Sequence, residues 1–254
     1  MRVQLLPSST ADPAQQFLTS FLIDERVAID AGAIGFAGSI EEQRRIQDVF
    51  ISHSHIDHMA SLPVFLENTY SPTPDCVRVH GSRAVIECLR NDVFNNRLWP
   101  DFITLSKSCP PFLEVREIEA GKPLAVGGLM ITPVEVNHVV PTHGFIVARG
   151  DAAVVFAGDT GPTDEIWRRA TEVGRLCAVF LECSFPESLG WLADETRHLT
   201  PSRFARELAK LPTSVPVYAV HIKSFCRDEV IAELHALGDE RIHICQPGKV
   251  YEFC

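Results

Sequence analysis

Residues 49–62 read VFISHSHIDHMASL, and the run HSHIDH at 53–58 decides how the rest of the chain is read. It follows a short apolar stretch of strand character and supplies His53, His55, Asp57 and His58. Side chains alternate along an extended segment, so His53 and His55 fall on one side of it. Asp57 and His58 come on the turn beyond and can face a second ion. Imidazole with carboxylate suits zinc, manganese or iron, whereas magnesium and calcium favour all-oxygen sites. The other reading is a polar loop that is merely rich in histidine; ligand type and density argue against it.

Outward from this run, short apolar segments of strand length recur at 21–23, 27–30, 49–52, 77–80, 129–136, 145–148, 153–157, 178–182, 217–221 and 242–245. Apolar spacing near 3.6 predicts helices over 40–47, 83–95, 163–175, 201–210 and 227–237, with Ser82, Asp164 and Thr200 as N-caps. Strands first, then helices interleaved with strands, predict a layered α/β domain over residues 1–254, with no internal repeat and no long linker. Asp30, His53, His138, Asp159, Glu182 and His221 all stand at or just past the C-terminal end of an apolar run. Strand ends are where a scaffold converges side chains from distant sequence. His138 is the expected third ligand of a first metal, Asp159 a bridge, and His221 the residue that completes a second. Singly, each also reads as an ordinary strand-end polar residue. With HSHIDH they make seven ligands, enough for two ions with a water or hydroxide between them.

The bulk properties narrow the partners. Of the 254 residues, 46% are hydrophobic and 22% charged, the balance of a globular protein. A formal net charge of −10 argues against a large nucleic acid as partner. A small anionic substrate stays open, because bound divalent metals would reverse the local field. Eight cysteines stand singly at 76, 88, 109, 177, 183, 226, 245 and 254, with no CxxC pair. Most read as small buried hydrophobes in a reducing compartment. The first residues lack the apolar core of a signal peptide, and no apolar stretch reaches the roughly 18 residues of a membrane span. A cytoplasmic protein with no membrane contact is expected.

H-x-H-x-D-H, a strand-end His138, the GDT at 158–160 and the late His221 together resemble the metallo-β-lactamase superfamily, from TSFLIDERVAIDAG at 19–32 onward. The resemblance implies an αββα four-layer sandwich with two divalent metal ions at one edge of the sheets. Zinc is the first expectation and manganese or iron the alternatives; homodimers are common for the fold. HSHIDHMASLP at 53–63, NNRLWPDF at 95–102, LECSF at 181–185, RHLTP at 197–201 and VHIKSF at 220–225 are similar to the class II cyclic-nucleotide phosphodiesterases. The same core also resembles ribonuclease Z, although the chain has no Gly-rich basic excursion to grip transfer RNA. A metal-binding protein without catalysis is a third reading, and the complete ligand set argues against it.

The implied chemistry is phosphodiester hydrolysis. Two metals would lower the pKa of a bridging water toward neutrality, and in-line attack by the hydroxide would open a 3′,5′-cyclic phosphate to a 5′-nucleotide. Asp57, His198 and Glu182 are the expected catalytic groups. His198 would protonate the leaving alkoxide, and Glu182 would orient it through its other ring nitrogen. Alternatives remain at this stage. His198 could be a neighbour of the helix start at Thr200, and Glu182 a buried partner of an arginine or lysine. His143 reads as a substrate contact or a structural histidine, Lys223 as a phosphate contact or a surface residue, and Trp99 as a base-stacking or a core aromatic. His80, His235 and His243 have no assigned role.

Overall fold

The computed structural model describes residues 1–9, 15–108, 110–212 and 214–253; Cys109 and Cys254 lie outside them. The chain forms two compact units. The first comprises Met1–Glu119 with Pro247–Glu252, and the second Ala120–Gln246 with the chain end.

The first unit is built on a seven-stranded sheet. Its strands are β1 (Arg2–Leu5), β2 (Phe21–Ile23), β3 (Val27–Ile29), β4 (Asp48–Ile51), β5 (Val77–Gly81), β6 (Leu113–Glu117) and, from late in the chain, β14 (Val250–Glu252). The order is β14-β1-β2-β3-β4-β5-β6. The pairs from β14 to β3 are antiparallel and those from β3 to β6 parallel. β4 is buried along its whole length, as expected of a central parallel strand covered on both faces. Its Phe50 stacks on His80 of β5 with ring centroids 4.2 Å apart. His80 Nε2 lies 2.9 Å from Asp48 Oδ1, and Arg78 Nε donates to that same oxygen at 2.7 Å. His80, without a role in the sequence, is thus part of a cluster with Asp48 and Arg78. Trp99 is half-buried on this core, edge-on to Phe102 at 6.5 Å, which is the packing alternative for that aromatic.

The second unit repeats the plan with different residues. Its strands are β7 (Leu124–Val126), β8 (Leu129–Val136), β9 (Thr142–Arg149), β10 (Ala152–Phe156), β11 (Arg175–Glu182), β12 (Val217–Val220) and β13 (Ile242–Ile244), in the order β13-β12-β11-β10-β9-β8-β7. Pairs from β7 to β10 are antiparallel and those from β10 to β13 parallel. No sequence repeat announces this shared topology. Helix Pro201–Leu208, opened by a proline whose missing N–H costs nothing there, packs Phe204 and Leu208 into the second core with Trp167. Buried Glu207 on the same helix accepts from Trp167 Nε1 at 2.6 Å and from Lys210 Nζ at 2.9 Å.

Among the described residues all ten expected strands are present, and four more, β1, β6, β7 and β14, lie outside the expected apolar runs. The helix expected over 83–95 is α-helical only over Arg83–Cys88 and then widens to a π-turn over Leu89–Val93. That expected over 163–175 runs only Glu165–Ala170, because Gly174 is pressed against the Asp151 carbonyl and Arg175 already belongs to β11. Ser82 caps its helix by accepting from Val85 N–H. Asp164 and Thr200 occupy the cap positions, but their side chains do not cap. Asp164 instead pairs with Lys210 at 2.8 Å. No helix among the described residues is long and apolar enough to cross a membrane.

Candidate metal centre

In the first unit the functional run leaves the end of β4. Asp30 directly follows β3, and its backbone takes the left-handed conformation, φ 64°. That turn sends the buried Asp30 carboxylate across to the segment after β4. Oδ1 accepts from Ser52 N–H at 2.7 Å; Oδ2 accepts from Ser52 Oγ at 2.9 Å and from His58 Nδ1 at 2.7 Å. Ser52 Oγ also lies 2.9 Å from His53 Nδ1. The rings of His53 and His55 are 4.6 Å apart, those of His53 and His58 4.2 Å, and His58 Nε2 lies 4.0 Å from Asp57 Oδ2. HSHIDH therefore gathers its four candidate ligands tightly. The chain turns into helix Ile56–Met59, with His55 at its N-terminal boundary. Gly32 makes this turn fit: a Cβ there would stand 2.1 Å from the Asp57 carbonyl oxygen and 2.8 Å from Thr19 backbone atoms.

In the second unit His138 follows β8, Asp159 follows β10, Glu182 ends β11 and His221 follows β12 with φ 56°. His221 Nε2 lies 3.5 Å from Asp159 Oδ2. His138 Nδ1 lies 3.2 Å from the carbonyl oxygen of Arg197. A carbonyl can only accept, so Nδ1 carries the proton and Nε2 keeps the lone pair that a metal needs. Burial holds the His138 pKa down at about 4, which keeps the ring neutral. The loops bearing His138 and Asp159 are tied together where Gly161 N–H donates to Asn137 O at 2.7 Å.

Glu182 is the hub of this half. It is fully buried and accepts five hydrogen bonds. Oε1 takes Thr160 N–H at 3.0 Å and His198 Nδ1 at 2.6 Å; Oε2 takes Ser184 N–H at 3.1 Å, Ser184 Oγ at 2.8 Å and Leu199 N–H at 3.2 Å. Ser184 Oγ is also 3.0 Å from His221 Nδ1. Burial works against the charge on both members of the Glu182–His198 pair. Their mutual attraction outweighs it, holding the Glu182 carboxyl below and His198 above the ordinary value. His198 is accordingly a group that holds a proton, and Glu182 pairs with it and not with an arginine or lysine.

The donor set fits divalent metal ions. In the second unit His221 Nε2 and Asp159 Oδ2 stand 3.5 Å apart, an imidazole nitrogen and a carboxylate oxygen of the kinds divalent cations take, with the Lys223 ammonium 3.3 Å from the same nitrogen. Lys223 thereby joins the site residues. Glu182, His198 and His221 also bring one ligand-type atom each within 4.8 Å of one another. His143 is buried on β9; its Nδ1 has no hydrogen-bond partner, and burial lowers its pKa. Sequence reasoning does not single out Ser52, Ser184 or Arg197. The two serines have one signal, their places beside His53 and Glu182. Nothing in the string RHLTP marks Arg197, whose part depends on its left-handed backbone, φ 52°.

Comparison with known proteins agrees with this geometry. Residues 26–222 match the family described as Beta-lactamase superfamily domain. A probable 3′,5′-cyclic-nucleotide phosphodiesterase of Yersinia pestis is 26% identical over 220 residues, which is 76% of this chain and 62% of the relative. The chain thus spans less than two thirds of that protein's length. A 3′,5′-cyclic-nucleotide phosphodiesterase of Aliivibrio fischeri is 26% identical over 246 residues, 76% of this chain and 70% of the relative. Unliganded yeast PDE1 superposes with a TM-score of 0.81 at 18% identity, covering 98% of both chains. The expected α/β class and metallo-β-lactamase fold are borne out.

Proposed function

The chain belongs to the β-lactamase superfamily, and from that premise we propose that it is a metal-dependent phosphodiesterase that hydrolyses 3′,5′-cyclic nucleotides. The observation that carries the hydrolytic reading is the Glu182–His198 pair set beside the strand-end ligands His221 and Asp159. The substrate class rests on the relatives named as cyclic-nucleotide phosphodiesterases.

In this reading the seven residues singled out in the sequence would hold two divalent cations, His53, His55 and His138 one, Asp57, His58 and His221 a second, with Asp159 serving both. Zinc is the expected ion, manganese or iron the alternatives. When bound, such ions supply Lewis acidity toward the phosphoryl oxygens and a water acidified to near-neutral pKa. The chain's own groups do the rest. Asp30, Ser52, Ser184 and the Arg197 carbonyl hold the imidazoles of His58, His53, His221 and His138 by Nδ1, which would leave Nε2 to ligate. Lys223 brings a point charge for a phosphate oxygen. His198, kept protonated by Glu182, gives its Nε2 proton to the leaving ribose oxygen and takes one back when product leaves. Free thiols at Cys76, Cys88, Cys177, Cys183, Cys226 and Cys245 support a reducing, cytoplasmic setting.

The test is incubation of metal-loaded protein with cyclic AMP and cyclic GMP, beside a transfer RNA precursor. Release of the 5′-nucleotide is the expected result. Cleavage of the precursor with both cyclic nucleotides intact would replace this reading with a ribonuclease Z-like one.

A further inference from the structure

Ser52 and Ser184 occupy equivalent chemical positions in two separate networks. Each sits just past the end of a central parallel strand, β4 or β11. Each is completely buried. Each places Oγ between a buried carboxylate and the Nδ1 of a strand-end histidine: 2.9 Å from Asp30 and 2.9 Å from His53 in the first unit, 2.8 Å from Glu182 and 3.0 Å from His221 in the second. In each network the same carboxylate takes a second histidine directly, His58 at 2.7 Å and His198 at 2.6 Å.

A serine hydroxyl has one proton and two lone pairs, and this decides the direction of every bond. A carboxylate can only accept, so Asp30 takes the Ser52 proton; the Ser184 proton goes to Glu182 at 2.8 Å or to the His221 carbonyl oxygen at 3.1 Å, both of them acceptors. Each Oγ can then only accept from the imidazole, which fixes the proton of His53 and His221 on Nδ1 and the lone pair on Nε2. Around His221 Nε2 stand both the Lys223 ammonium at 3.3 Å and Asp159 Oδ2 at 3.5 Å, so the assignment at that ring rests on the Ser184 contact. A hydroxyl free to rotate would tolerate either tautomer; one pinned by a carboxylate does not.

We propose that Ser52 and Ser184 are positioning residues that lock the tautomer of one metal ligand each, so that each serine governs the occupancy of a different metal position. The inference rests on the functional reading above. Groups that hold a ligating histidine by its other ring nitrogen typically matter by about 10–100-fold in metal affinity. Ser52→Ala should weaken the position served by His53, and Ser184→Ala the one served by His221, each leaving the other close to normal.

The experiment is stepwise chelator competition on the full chain for wild type, Ser52→Ala, Ser184→Ala and the hydroxyl-retaining Ser52→Thr and Ser184→Thr. It is accompanied by ¹⁵N imidazole spectra and thermal melting of the metal-free proteins. The expected result is one weakened ion per alanine variant, roughly 10–100-fold, with a different step affected in each, and near-normal binding in any threonine variant that melts like wild type. Metal-free wild type should show Nδ1-protonated His53 and His221. Unchanged affinity in alanine variants that melt like wild type would overturn the inference while leaving the functional reading intact. Wild type that takes up no metal would defeat the functional reading. The inference would then be decided by the imidazole spectra, and Nε2-protonated His53 or His221 would overturn it.

Discussion

Arg197 and His138 hold each other twice. The His138 ring donates from Nδ1 to the Arg197 carbonyl at 3.2 Å, and Arg197 Nη1 donates back to the His138 carbonyl at 2.7 Å. The residue before the expected general acid thus fixes both the ring and the main chain of a ligand far earlier in the chain. Arg197→Ala removes the second bond and loosens the first. Metal affinity should fall, by up to the roughly 10–100-fold typical of such partners, and chelator competition measures it. Affinity equal to wild type would mean that the reciprocal pair does not position His138.

His198 and Glu182 should separate in their effects. His198→Ala is expected to lower kcat by about 10²–10⁴-fold while metal content stays near wild type, as befits a proton donor. Glu182→Ala strips five hydrogen bonds from a buried position and should destabilise the fold by roughly 3–5 kcal/mol, the cost of breaking a buried charged pair. Steady-state kinetics, metal analysis and denaturant unfolding distinguish the two. Loss of a metal ion in His198→Ala would make His198 a ligand instead.

Much of this arrangement is legible in the order of the residues alone. Strand-end placement singles out Asp30, His138, Asp159, Glu182 and His221, because β-branched runs of four or more residues mark buried strands with little ambiguity. Strands β6 and β7 lie at sheet edges and are partly exposed: LEVRE interleaves charged residues with its apolar ones, and LAV is a three-residue stretch between Pro123 and Gly127. The helix over Leu62–Thr69 is hidden because Pro63 reads as a breaker, although near a helix start proline is well tolerated. Arg197, Ser52 and Ser184 act through hydrogen bonds to atoms that only folding brings near. Serine and arginine carry no pattern that separates such a use from ordinary surface placement.

Gly32 should not tolerate a methyl group. A Cβ there would overlap the Asp57 carbonyl oxygen at 2.1 Å, and the neighbouring Thr19 backbone is equally fixed by its bond to that oxygen. Gly32→Ala is expected to displace the turn that carries Asp57 and His58, lowering both melting temperature and metal uptake. Overpacking of this kind costs typically about 1–3 kcal/mol. A variant with normal melting and full metal content would show that the turn yields without consequence.

The Asp48 cluster gives the fold an acid limit. Burial opposes ionisation of Asp48, but hydrogen bonds from His80 and Arg78 outweigh it and hold the carboxyl below the ordinary aspartate value. A carboxylate whose pKa is lowered by folding contributes its full stability above the unfolded value of about 3.9. That contribution is lost as pH falls from there through the lowered folded value. Asp48→Asn should therefore be less stable than wild type at neutral pH, with the difference shrinking below about pH 4. Urea unfolding of both proteins across that range checks this; a gap that stays constant with pH would contradict it.

The central claim is tested most directly by following cyclic AMP with metal-loaded protein and with Asp159→Ala, identifying the product. The account predicts conversion to the 5′-nucleotide by the wild type and its loss in the variant, which lacks the carboxylate assigned to both ions. Cyclic AMP and cyclic GMP left intact by wild-type protein that carries its metal would contradict the account.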